Sequence, residues 1–164
     1  MHSYRLPRNP TNDALLAVFI RPRNLLAAWR DADPEISWIF TRLTIPVLLF
    51  SVLCSGVAHE FIPSAFPAST RPEPIGFALY SGLTQFIGIL ALATAAHYLC
   101  DLFQGYSDFN RALAAVSIAM VPAWIGNIVA ALPWPIGAYG ALVLIAYSLI
   151  LLYAAFAVIM RIKR

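Results

Sequence analysis

Charge is scarce in this chain. Asp, Glu, Lys and Arg make up 12% of its 164 residues, about half the share of an ordinary soluble domain. A soluble fold so poor in charge could not cover its surface with solvated groups. Cysteine is as sparse. Cys54 and Cys100 form no Cys-x-x-Cys pair, so neither a disulfide framework nor a zinc site is signalled. Both fall within or at the end of apolar runs and read as small packing residues. His59-Glu60 begins like a zinc-protease helix, but Pro63 stands where the second histidine is needed. The serines Ser51, Ser55, Ser81, Ser117 and Ser148 lack a Gly-x-Ser-x-Gly setting, and no Walker-type glycine loop occurs. The chain also opens without a cleavable signal pattern. Residues 1–13 are polar, and no small-residue cleavage site follows the apolar stretch 14–20. The first true span is therefore expected to direct insertion. No catalytic residue, metal ligand or cofactor site is expected, and the chain does not read as an enzyme.

What is abundant is apolar sequence: 60% of the residues are hydrophobic, and they are gathered into long runs. A helix needs about 20 predominantly apolar residues to cross roughly 30 Å of hydrocarbon. Four stretches qualify, at about 36–58, 75–101, 111–132 and 136–160. The sequence predicts an all-α polytopic bundle over 35–164, preceded by an amphipathic cytoplasmic segment over 1–34.

Basic residues set the expected orientation. Ten of the eleven are arginine. Arg5, Arg8, Arg21, Arg23, Arg30 and Arg42 precede or open the first span, Arg111 opens the third, and Arg161, Lys163 and Arg164 follow the fourth. Four spans place all of these on one side and leave Arg71 alone on the other. The positive-inside rule makes the rich side cytoplasmic. The expected location is a bacterial inner membrane with both termini in the cytoplasm. Because the basic residues flank apolar runs, nucleic acid is not expected as a partner; membrane lipids and other membrane proteins, or further copies of the chain, are.

The N-terminal segment carries its own pattern. Thr11-Asn12-Asp13 offers a cap before 14–20, Pro22 breaks that helix and opens the next, and Asp33-Pro34 resembles the start of the first span. Apolar residues among arginines suit either a helix lying on an anionic leaflet or a hairpin packed under the bundle. Pro133-Trp134-Pro135 is a short link that makes the last two spans antiparallel neighbours, with Trp134 and Tyr139 at an aromatic belt.

Several short motifs recur in a fixed order. Ile20-Arg21-Pro22 is followed by Trp29 and then Ile45-Pro46. Phe103-Gln104-Gly105 links the second and third spans. Val121-Pro122-Ala123-Trp124 lies inside the third, Leu132-Pro133 and Ile136-Gly137 form the last turn, and Tyr147-Ser148-Leu149-Ile150-Leu151-Leu152-Tyr153 lies in the last span. Together they resemble the bacterial form of the Yip-one (Ypt-interacting protein) domain family, from about Phe19 to Arg164. The resemblance marks Pro22, Trp29, Pro46, Gly105, Pro122, Trp124, Pro133, Gly137, Tyr147 and Tyr153 as structural positions. It implies a non-enzymatic scaffold, adaptor or membrane-organising protein. It also implies a fifth span after the basic cluster, which the chain does not carry through Arg164.

Four polar residues are candidates for more than packing. His97 and Asp101 are four apart and share a helical face near the cytoplasmic end of the second span. Gln85 and Asn127 lie deep in the second and third spans, where an amide must find a partner. With the intramembrane prolines Pro46 and Pro122, they also motivate the alternative of a small oligomeric transporter or channel component. Small-residue pairs such as Ala91 and Ala95, Gly126 and Ala130, and Gly137 and Ala141 are expected to let helices approach closely.

Overall fold

The computed structural model describes residues 16–32, 35–61, 73–102 and 108–159, and every element in them is helical. Helix α1 covers Pro22–Ala32. A short helix α2, Ile36–Ile39, runs through a π-helical turn, Phe40–Thr44, into α3, Ile45–Phe61. Helices α4 (Pro74–Leu102), α5 (Phe109–Val129) and α6 (Ile136–Ile159) complete the bundle. Among the described residues four stretches are long and apolar enough to cross a bilayer: Ile36–Ala58, Pro74–Leu102, Phe109–Val129 and Ile136–Ile159. The caps expected at Asp13 and Asp33, the linker residue Gly105 and the C-terminal basic cluster lie outside the described residues.

Helix α5 is the centre of the bundle and packs against α1, α2, α3, α4 and α6. Two-thirds of its apolar window, 67%, is buried, against 6% for α4. Lipid tails are as apolar as leucine, so burial here is driven by packing and not by escape from water. The contacts accordingly favour small residues on α5, where Ala112, Ala114, Ala115, Ser117, Ala119 and Gly126 are all buried.

The register is read from a few contacts. The Thr44 hydroxyl meets Ser117, and the Ser51 hydroxyl meets the Trp124 carbonyl, with the same sequence offset of 73. A constant offset means that α3 and α5 run parallel. Gly126 lies against Ala141 and Leu144, and Gly140 against Val129, so α5 and α6 are antiparallel. Gly82 faces Val52 and Gly56 faces Ala78, so α3 and α4 are antiparallel as well. Of the expected small-residue pairs, Gly126, Gly137 and Ala141 are buried, whereas Ala130, Ala91 and Ala95 are exposed. The Ala91–Ala95 spacing serves no neighbour within the described bundle.

Proline explains the interruption in the first span. Pro46 has no N–H to offer the Arg42 carbonyl, and its ring crowds that oxygen. The chain widens just before it: the Ile45 N–H bonds to the Phe40 carbonyl, five residues back. The helix opens at Ile36, with Glu35 extended at the N-cap and making no side-chain cap bond, two residues later than Asp33-Pro34 predicts. Asp108 caps α5 instead, accepting a hydrogen bond from the Asn110 N–H at 3.0 Å, so the third span begins at Phe109, before Arg111. That span stops at Val129, short of the expected 132, because the residue before Pro133 is biased out of the helical region. The link to α6 is therefore longer than Pro133-Trp134-Pro135 alone.

Candidate functional site

The interior polar groups lie mainly along the seam between the first span and α5. Thr44 in the π turn donates to the Ser117 hydroxyl at 3.0 Å, and both residues are buried. One helical segment on, the Ser51 hydroxyl donates to the Trp124 carbonyl at 2.8 Å. Ser55 turns back on its own helix, donating to the Val52 carbonyl. Thr44 and Ser51 are short side chains that cross a close helix contact. Interhelical bonds of this kind contribute about 0.6 kcal/mol each on average in a bilayer. In the sequence these serines show only the lack of a nucleophile's setting, and the seam is not apparent there. The offset of 73 that joins Thr44 to Ser117 and Ser51 to Trp124 was the available signal, but it is visible only once the two spans are known to be neighbours.

The predicted polar candidates do not converge. Gln85 is half-buried in the middle of α4 and donates its Nε2 to the Ser81 hydroxyl of its own helix at 2.8 Å, not to another span. Asn127 is half-buried, but the early stop of α5 puts it in the last turn of that helix and not deep in the span. His97 is half-buried near the end of α4, its ring edge-on to Phe109 at the start of α5 with centroids 6.3 Å apart. Asp101 is exposed one turn further on. This pair lies at one end of the bundle, while Asn127 lies at the other. Among the described residues no three His, Cys, Asp or Glu side chains are grouped closely enough to hold a metal ion.

The motif positions are structural in a direct sense. Pro22 opens α1, and helical hydrogen bonds run across Arg21, from the Arg21 N–H to Ala17 and from the Leu25 N–H to Arg21. The expected break is thus only a bend. Trp29 is buried and meets Trp38 at the start of the first span edge-on, at 5.4 Å. Pro122 and Trp124 are buried in α5, and Pro46 is half-buried in α3. The Pro133 carbonyl accepts the Gly137 N–H at 3.2 Å and so ties the last turn to α6. Gly137 has no room for a side chain: a Cβ there would run into the Leu132 carbonyl oxygen and press on that of Ala130. Tyr153 is exposed on α6. Tyr147 reaches across to the N-terminal segment, donating its hydroxyl proton to the Val18 carbonyl at 2.8 Å while its ring stacks on Phe19 at 5.7 Å.

Two buried polar atoms have no hydrogen-bond partner among the described residues, the Trp124 indole Nε1 and the Ser148 hydroxyl. The register that sets Gly126 against Leu144 carries Ser148 to the turn of α5 that holds Pro122. There, proline has already removed a backbone donor. Unsatisfied groups of this kind are few in native interiors.

Four apolar helices, three of them packed around the fourth, with most interior polar groups spent on helix contacts, define a polytopic α-helical membrane protein. Residues 16–164 match the Yip1 domain, which is most of the chain, and the protein belongs to that family. No curated protein and no solved structure matches it.

Proposed function

We propose that this Yip1-domain protein is a non-enzymatic scaffold or membrane-organising protein of a bacterial inner membrane, with both termini in the cytoplasm. The observation that carries the proposal is the contrast between α5 and α4. The bundle wraps α5 and leaves α4 the least buried of the four spans, with Leu79, Tyr80, Leu83, Ile87 and Tyr98 exposed along it. The open side of such a helix is a surface for other helices or for lipid. The Thr44–Ser117 and Ser51–Trp124 bonds fix the first span against α5, the two elements on which α4 packs. Its partners are membrane lipids, other membrane proteins or further copies of the chain, and not nucleic acid. Photo-crosslinking from Leu83 and Ile87 in native membranes tests this, with specific protein adducts as the expected result. Turnover of a lipid or peptide by the purified protein, abolished by one alanine change at a polar residue, would refute it.

A small oligomeric transporter or channel component is the second reading. It is favoured by the unpartnered Trp124 indole and Ser148 hydroxyl beside the proline-broken turn of α5. Flux in proteoliposomes no greater than in empty liposomes would remove it.

A further inference from the structure

The N-terminal segment combines two faces. Val18, Leu25, Leu26 and Trp29 are buried against the bundle, and α1 packs on α6 and α5. The segment thus packs along the side of the last two spans. Yet the opposite face is not polar throughout. Leu16 is 63% exposed and Ile20 70%, and Ile20 directly precedes the exposed Arg21, with the exposed Arg23 two residues on.

The depth of this face can be worked out by two routes. Tyr147, which holds Val18 and Phe19, is at the midpoint of the 24-residue helix α6. At 1.5 Å per residue it lies about 17 Å from Ile136, where Trp134 and Tyr139 pair at an aromatic belt. With about 30 Å of hydrocarbon, it is more than ~10 Å below the opposite interface. The second route starts at that interface, where Trp29 meets Trp38. Counting back along the bent helix from Trp29 to Val18 gives a reach of up to about 16 Å. The first route puts residues 16–20 deeper than the roughly 5–10 Å reached by a helix lying in the interface plane, and the second is long enough to allow it.

We infer that residues 16–23 form an anionic-phospholipid-binding wedge in the leaflet on the N-terminal side of the bundle. Leu16, Phe19 and Ile20 sit among acyl chains at a depth held by Tyr147. Arg21 and Arg23 reach back along their apolar stems to lipid phosphates. Guanidinium groups at this depth are costly unless they draw in headgroups, and a phosphate offers the planar fork a bidentate partner. The apolar face alone would accept any lipid; the adjoining pair of like charges selects acidic headgroups. This names a lipid partner for the membrane-organising side of the reading above and rests on that reading only for its biological use.

The test uses the full chain in proteoliposomes, with Cys54→Ala and Cys100→Ala as background. A single environment-sensitive fluorophore is placed at Ile20→Cys or at Asp31→Cys, and nitroxide quenchers sit either mid-chain or on the headgroup. The mid-chain quencher is expected to act several-fold more strongly at position 20, and the headgroup quencher at position 31. Quenching of the position-20 probe by aqueous iodide, or by neither lipid quencher, would overturn the wedge; the second outcome would mean that protein covers this face. Retention of phosphatidylglycerol over phosphatidylcholine during detergent exchange tests the arginines. The Arg21→Gln, Arg23→Gln double variant is expected to lose that preference, and an unchanged preference would overturn the headgroup assignment. Loss of the helix crosslinks described for α4 would leave both lipid results standing, so the two ideas fail separately.

Discussion

Replacing glycines one at a time by alanine separates the packing of this bundle from its backbone preferences. No described glycine has a positive φ, so each is explained by space and not by conformation. At Gly88, in the uncovered helix α4, an added Cβ meets nothing within 4 Å. Glycine inside a helix is less stable than alanine by roughly 0.5–1 kcal/mol, so Gly88→Ala is expected to stabilise by about that much. At Gly137 the same methyl group collides with the Leu132 carbonyl oxygen and presses on that of Ala130. These are backbone atoms of the turn that α6 must leave, and they cannot rotate away. Overpacking costs about 1–3 kcal/mol. Set against the gain in helix preference, Gly137→Ala is expected to destabilise by about 1–2 kcal/mol. Gly126 falls between, because its Cβ would lie 3.3 Å from Leu144 Cβ and 3.5 Å from the Ala141 carbonyl. The assay is equilibrium unfolding in mixed micelles, read by the change in midpoint at constant slope. The two extremes should differ by roughly 2 kcal/mol, about a thirtyfold change in the folding equilibrium. Equal stability of Gly137→Ala and Gly88→Ala would refute the packing of α5, the last turn and α6 described here.

Other perturbations probe single contacts. Tyr147→Phe removes the hydrogen bond to the Val18 carbonyl but keeps the stack on Phe19, and is expected to cost about 0.6 kcal/mol and no more than ~1.7; faster labelling of a cysteine at position 20 would report the loosened segment, and an unchanged rate would show that the bond does not hold it. A double-mutant cycle on Thr44→Ala and Ser117→Ala should return a coupling near ~0.6 kcal/mol, whereas Thr44→Ala with Ser81→Ala should return none, because no contact joins them. Impermeant thiol reagents should reach cysteines at positions 5 and 163 from one side of the membrane and at 134 from the other; reaction of all three from one side would contradict an even number of spans.

The number of spans was legible in the sequence because it depends on one requirement. In hydrocarbon each peptide group must be satisfied within its own segment, so a long uncharged run has few alternatives to a helix. What such a run does not encode is which face meets protein. Residues 75–100 and 112–132 look alike as sequence, both apolar, uncharged and rich in alanine. In the bundle the first is mostly exposed and the second is the core. In water these two environments would demand different side chains; in lipid they do not, since tail and protein interior are equally apolar. Size is the remaining signal. Ala112, Ala114, Ala115 and Ala119 are all buried, but Ala91 and Ala95, at equally helical spacing, are exposed. The alternative placement of the Gln85 and Asn127 amides was illegible for the same reason. Nothing in the composition of α4 says that Ser81, one turn away, will satisfy Gln85 before any neighbouring helix does.

Chain breaks and the N-terminal segment show the converse, where the sequence did hold the information but two of its rules competed. Pro22 is expected to end one helix and start another, and it does start α1; but its ring removes a single donor, the helical bonds continue across Arg21, and Tyr147 meets the Val18 carbonyl four residues before it. Pro46 lies in the interior of the helical span that opens at Ile36, and there the same ring forces a π turn. For 16–32 the amphipathic pattern was plain, but a pattern with one apolar face fits a leaflet or a bundle equally well. The segment has apolar side chains on both sides of its axis near its start: Val18 turns to the bundle, while Leu16 and Ile20 turn out. Only a segment inside the hydrocarbon has a use for both. A helix under the bundle in water would expose Ile20 at a cost, and one lying flat on headgroups would not meet the midpoint of α6. The Tyr147 contact therefore ties the local pattern to a depth, and the depth turns a packing element into a lipid-facing one.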